Sequence, residues 1–204
     1  MDFNNQSLSW DNEKRVKRAK VIADEIAASV ELRANFYAME FGCGTGLISF
    51  NLHNKLKAIT CIDTSLGMID IVKAKIQQQQ VTNIKPYLCN INEDDQFKSE
   101  YDLIYTSMAL HHIADIETIL TNLYKLLKQE GYLCIVDLDE DDGSFHKLEE
   151  DFTGHHGFNQ QELKKVLEKI GYHEVKSHTF YHDVKPIDDI AVKYSLFIMV
   201  GRKR

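Results

Sequence analysis

The sequence predicts an α/β fold: a doubly wound, mostly parallel seven-stranded sheet with an antiparallel last strand and an N-terminal helical cap. Three observations carry this. Short apolar runs alternate with amphipathic helical periods along the chain. Three glycines at alternate positions follow the first apolar run. The last two strand-like runs follow each other with no helix between them, so they should pair antiparallel.

From Asn12 to Leu32, Val16, Ala19, Val21, Ile22, Ile26 and Val30 recur at helical spacing. Phe36–Phe41 reads as a buried strand ending in glycines, and residues 46–53 as a helix. Ala58–Ile62 is a second strand. Ser65 can cap a helix running to Gln79 with apolar positions 68, 69, 72 and 76. Ile84–Leu88 is a third strand, and Pro86 within it removes a ladder donor and points to a sheet edge. Asp102–Thr106 is a fourth strand. A helix over Asp115–Lys128 follows, with Gly131 as its expected stop and Tyr132–Leu138 as a fifth strand. Asn159 caps a helix to Ile170, followed by Gly171. Val175–Tyr181 and Val192–Val200 close the sheet around a loop, Val184–Ile190, containing Pro186. Residues 1–204 read as a single domain, with residues 1–34 as the helical cap and residues 139–158 as a substrate-side loop. A loop of that length after a strand end overlies the ligand crevice of such a sheet.

Composition narrows the function classes. Of 204 residues, 44% are hydrophobic and 27% charged, the balance of a globular chain. The formal charge of −7 argues against a general phosphate-backbone binder, so no nucleic-acid partner is expected. The longest run free of charged residues, Phe41–Asn54, is too short to span a bilayer. The polar, acidic start at Met1–Asn5 does not resemble a signal peptide, and a cytoplasmic location is expected. The four cysteines, at 43, 61, 89 and 134, form no CxxC pair and read as buried thiols.

The chemistry concentrates at Met39-Glu40-Phe41-Gly42-Cys43-Gly44-Thr45-Gly46-Leu47. Glycines there permit a sharp strand-to-helix turn and a close ligand approach, and the helix start offers free N–H groups. A dinucleotide motif needs a small residue where Leu47 stands, and there is no phosphate-loop lysine. Glu40 can face a cationic amine. A plain tight turn is the plainer alternative.

The pattern acidic-x-Gly-x-Gly-x-Gly resembles the class I S-adenosylmethionine-dependent methyltransferases. Further segments resemble a group of small bacterial methyltransferases of the ubiquinone/menaquinone-biosynthesis type: Ser9-Trp10-Asp11, the basic helix Lys14–Lys20, Thr106-Ser107-Met108-Ala109-Leu110-His111-His112, and Asp137–His146. The resemblance spans essentially the whole chain. It implies a Rossmann-like fold, S-adenosyl-L-methionine (SAM) as cofactor, S-adenosyl-L-homocysteine as product, and methyl transfer by in-line displacement to a small-molecule acceptor. It implies cofactor contacts at Glu40, Gly42, Cys43, Gly44, Gly46, Asp63, Thr64, Met68, Asn90, Ile91 and Ser107. Asp63 would bind both ribose hydroxyls, Met68 would pack on adenine, and Asn90 stands where the family usually has Asp. The alternative is a non-catalytic SAM-binding protein, a sensor or partner subunit.

No catalytic residue is fixed by the sequence. His111 and His112 are candidates for a base, and Trp10, His111 and His146 for substrate contact. Lys14, Arg15, Lys17, Arg18 and Lys20 read as a solvated helix face, with binding of an acidic acceptor as the lesser alternative. Asp137, Asp139, Glu140, Asp141 and Asp142, with His146, His155 and His156 nearby, read as a solvated acidic loop, and no metal site is expected. Thr106-Ser107-Met108-Ala109 lacks the Asn/Asp-Pro-Pro-aromatic motif of base-amine methyltransferases, and no Pro-Cys nucleophile is present. A monomer or homodimer acting on a small molecule is the remaining expectation.

Overall fold

The computed structural model describes residues 3–94, 96–149, 152–188 and 190–204. Three expectations touch residues outside that range: the cap at Met1 and Asp2, the long loop at Glu150 and Asp151, and the closing loop at Asp189. The chain opens with a short helix, α1 (Phe3–Gln6), and a 3-10 turn, neither of which carries a periodic signal of its own. Helix α2 (Glu13–Ser29) begins where the Asn12 side chain accepts from the Arg15 N–H, and Glu13–Lys17 and Lys20–Asp24 ion pairs line its outer face. Then come β1 (Tyr37–Phe41), α3 (Leu47–Leu52), β2 (Ala58–Asp63), α4 (Leu66–Gln79), β3 (Ile84–Leu88), β4 (Tyr101–Ser107), α5 (Ile116–Leu126), β5 (Leu127–Leu138), α6 (Gln160–Ile170), β6 (Tyr172–Ile187) and β7 (Ile190–Lys203). Ser65, Asp115 and Asn159 cap α4, α5 and α6 through their side chains.

The seven strands lie in the order β3-β2-β1-β4-β5-β7-β6. The first five are parallel, and β7 enters antiparallel between β5 and β6. This is the expected architecture, with Pro86 on the edge strand β3. Side-chain alternation along the strands splits the core into two layers. Ala38, Leu103, Cys134, Val136, Leu196 and Ile198 pack beneath α2, α3 and α4. Met39, Ile104, Leu133, Ile135, Phe197 and Met199 pack beneath α5 and α6.

Two element boundaries differ from expectation. Helix α5 stops at Leu126, because fully buried Leu127 turns extended (φ −72°, ψ 143°) and pairs with Tyr101. Gly131 therefore lies inside β5 and is no helix stop. A Cβ there would come 2.9 Å from the Lys128 carbonyl oxygen, so glycine serves the irregular pairing with β4. The closing hairpin is also longer than expected. Pro186 pairs with Ala191 within the ladder, on the outermost strand, where a missing N–H is tolerated.

Candidate active site

The carboxyl ends of β1, β2 and β4 open into a cleft of about 410 Å³. Its floor is the turn after β1. Gly42, Gly44 and Gly46 have φ of +68°, +51° and +76°, values that side chains rarely adopt. The turn is anchored to β2 by the Gly42 and Cys43 N–H groups, both donating to the Ile62 carbonyl. Asp63, at the end of β2, accepts from the Gly44 N–H on one carboxylate oxygen and from the Ser65 N–H on the other, both at 2.8 Å. Each oxygen keeps a lone pair for a ligand hydroxyl.

Glu40, Gly42, Cys43, Gly44, Asp63, Thr64, Met68, Asn90, Ile91 and Ser107 all line the cleft, as does Trp10. Gly46 does not. It stands at the start of α3 against Phe50 and Val72, and its glycine serves the turn. Asn90 donates to Glu93 and accepts from the Asn92 N–H, which still leaves its carbonyl oxygen one lone pair.

Glu40 is buried and turned toward α3, where the Ser49 N–H and hydroxyl donate to its carboxylate and the hydroxyl in turn meets Tyr105 at 2.6 Å. Burial is the main cause that raises its pKa from an ordinary 4.5 to about 8. The sign follows from linkage. Below about pH 4.5 both states hold the proton; between 4.5 and 8 only the native state does, so Glu40 costs stability as pH rises through that window. Glu40→Gln should therefore gain on the wild type from pH 5 to 8, by up to about 1.4 kcal/mol per pH unit. Urea midpoints of the ligand-free proteins across that range check this, and a pH-independent difference would refute it.

The roof comes from the N-terminal segment. The Asn4 side-chain oxygen accepts from the Ser65 hydroxyl (2.8 Å) and the Gly67 N–H (3.0 Å). Asp11 accepts from the Thr45 hydroxyl and ion-pairs with Lys75 at 2.5 Å. Phe3 and Trp10 meet edge to face at 5.8 Å, and the Trp10 indole nitrogen lies 3.8 Å from where a Gly44 Cβ would stand. The Arg15 guanidinium stacks 3.9 Å over the Trp10 ring.

Arg15 and Arg18 line the cleft, which corrects the expectation of a wholly solvated basic face. Lys14, Lys17 and Lys20 are exposed, while the two arginines are half-buried. Among the described residues neither guanidinium has a carboxylate at ion-pair distance; Arg18 donates to the Tyr194 hydroxyl and Arg15 to the Trp10 carbonyl. Burial and the like charge of Arg18 hold Arg15 below its ordinary pKa. The sequence offers a role toward an acidic acceptor only as the lesser reading of all five cations, because it does not show which of them α2 turns toward a cleft.

The histidine candidates divide. His112 lines the cleft, and burial brings its pKa down to about 4. His111 and His146 do not line it. His111 is buried and its Nδ1 lies 2.5 Å from the Asp137 carboxylate, which also accepts from the Leu138 N–H and the His111 N–H. Asp137 is thus fully buried at the end of β5 and is no part of a solvated loop. His146 is buried against Phe152, stacked at 3.8 Å, and burial lowers its pKa to about 3. It lines a separate hollow with Phe152 and His156. Among its described residues the long loop therefore touches the cleft wall from behind, through Phe152 against His112, and none of them lines the cleft.

Fold and cleft together define a Rossmann-like protein with a glycine turn at β1 and a closing antiparallel hairpin. The chain belongs to the methyltransferase family whose model, described as a methyltransferase domain, matches residues 32–176. It is 36% identical over 115 residues to an uncharacterized methyltransferase of Schizosaccharomyces pombe, covering 53% of this chain and 40% of that protein. It is 30% identical over 153 residues to a malonyl-[acyl-carrier protein] O-methyltransferase of Priestia megaterium, covering 72% and 52%. The chain thus spans about half the length of these curated relatives. The YcgJ protein of Bacillus subtilis shares the fold, with a TM-score of 0.73 over 89% of this chain and 97% of that one at 13% identity. No helix among the described residues is long and apolar enough to cross a membrane.

Proposed function

We propose that this chain moves a methyl group from S-adenosyl-L-methionine to a small acidic acceptor. The observation that carries the reading is the pairing, in one cleft, of the Asp63 carboxylate beside a bare glycine turn with two arginines that have no carboxylate partner among the described residues. S-adenosylmethionine is the cofactor; when bound, it supplies a methyl group already activated on a sulfonium sulfur.

The chain's own residues position and shield. Asp63 accepts the ribose hydroxyls on its remaining lone pairs, a charge-assisted contact. Met68 and Ile91, both buried, provide an apolar slot for the base, and Asn90 accepts at its rim. Glu40 and Gly44 border the end that takes the amino-acid moiety. Phe3 and Trp10 exclude water from above. Arg15 and Arg18 hold the acceptor's negative group and orient its nucleophilic atom in line with the transferred carbon. Such orientation supplies about 7–11 kcal/mol of barrier reduction. His112 is a neutral imidazole at this wall, able to accept a proton from an acceptor that still carries one. The malonyl group in the name of the Priestia megaterium relative is likewise an acid, methylated on oxygen. Net charge supports a small molecule over a nucleic acid. Four free, buried thiols fit a reducing cytoplasm, where the chain would act as a monomer or homodimer.

The test is calorimetric titration with SAM and S-adenosylhomocysteine, followed by transfer of labelled methyl to a panel of small carboxylic acids and their neutral amides. Cofactor binding and transfer favouring the acids are expected; binding without transfer to any acceptor would favour a non-catalytic binder. Arg18→Gln should raise KM for an acidic acceptor about 10- to 100-fold, on the scale of a hydrogen bond to a charged group, and leave cofactor affinity unchanged. An unaltered KM would remove Arg18 from acceptor recognition.

A further inference from the structure

We propose that His111, His112 and His146 form a binding site for one divalent transition-metal ion, with Asp137 as the carboxylate that orients His111. The three residues come from two separated segments. His111 and His112 end the 3-10 turn after β4, and His146 ends the turn Ser144–His146 in the long loop. One ring nitrogen of each lies within 4.8 Å of those of the other two. An ion bonded at about 2.0–2.1 Å to each would draw them closer together.

Two independent observations point to a ligand. The Nδ1 of His146 is buried with no hydrogen-bond partner among the described residues, and His146 is only 3% exposed. A buried polar atom left unpaired is costly, and a metal bond would satisfy it. The second observation is His111 itself. Its Nδ1 is taken by Asp137 at 2.5 Å, which fixes the tautomer and leaves Nε2 as the donor atom. Imidazole metal ligands are held in this way, by a carboxylate on the other ring nitrogen. Asp137 is fixed in turn by two backbone N–H groups, and the stacked Phe152 ring fixes the plane of His146. The nearby cation Lys185 is drawn aside to the Phe145 carbonyl oxygen.

Three imidazoles suit zinc and its first-row neighbours, not magnesium or calcium. A three-ligand site leaves a coordination position open. Because His112 lines the cleft, that position would stand at its wall. There an ion would bind an acceptor's oxygen or lower the pKa of its hydroxyl, replacing His112 as the group that activates the acceptor, since the ion takes the imidazole's one lone pair. This role rests on the proposed methyl transfer; the ion binding does not.

Chelator-treated, dialysed full-length protein is titrated with Co²⁺, reading the visible absorption of the bound ion, and then with Zn²⁺ in competition. One ion per chain is expected. His146→Ala should weaken binding at least about 100-fold, and Asp137→Asn about 10- to 100-fold, as expected for an outer-shell carboxylate. No stoichiometric binding, or equal binding in His146→Ala, would overturn the site. If either variant fails to fold, X-ray absorption on the zinc-loaded wild type decides: a shell of three imidazole nitrogens supports the proposal, any other protein ligand set refutes it. SAM titration of the metal-free protein separates this result from the cofactor reading.

Discussion

Asp63→Ala is expected to weaken SAM binding about 10- to 150-fold, that is by about 1.5–3 kcal/mol, as for removal of hydrogen bonds to a charged group. The substitution acts twice. It removes the acceptor for the ribose hydroxyls, and it releases the Gly44 and Ser65 N–H groups that both donate to this carboxylate at 2.8 Å. The glycine turn then loses one of its links to the end of β2, while the two to the Ile62 carbonyl remain. Asp63→Asn keeps one side-chain oxygen and should lose less. Calorimetric titration measures both, and an alanine variant with unchanged affinity would overturn the ribose assignment.

Gly42→Ala should act on the fold and the ligand together. A Cβ at Gly42 would lie 2.6 Å from the Ala109 Cβ, and neither methyl can rotate away. The position also holds φ at +68°, which costs any other residue about 1–2 kcal/mol before the clash is counted. A total loss of about 2–3 kcal/mol corresponds to a fall in Tm of roughly 4–12 °C for a chain of this size. Gly42 and Ala109 are both cleft residues, so forcing them apart should also abolish measurable SAM binding. Gly44→Ala is the matched control. Among the described residues its Cβ would meet only the Trp10 indole nitrogen, at 3.8 Å, so strain without collision should cost less. Equal Tm values for wild type and Gly42→Ala would refute the packing argument.

What was readable in the chain was local. The caps at Ser65 and Asn159, the glycines after β1, the edge proline Pro86 and the helix-free final pair of strands each encode their geometry within a few residues, and each stands as expected. Leu127 deceived because it continues the helical stripe of α5, yet its pairing with Tyr101 draws it into β5. The cleft lining was readable where it follows strand ends in sequence, as at Asp63 and Asn90. The site was hidden where partners are distant. His111 and Asp137 meet only because β4 and β5 are neighbours in the sheet. Arg15 and Arg18 share the periodicity of their exposed lysine neighbours, and only the docking of α2 over the cleft tells them apart.

The N-terminal tethers have a kinetic consequence. Asn4 grips the cap of α4, and Asp11 grips Thr45 and Lys75, so the cover is latched to the very turn it shelters. A ligand beneath it would depart only after these few polar clasps let go, one of them an ion pair that dissolved salt weakens. Turnover would then be paced by unlatching as much as by bond exchange.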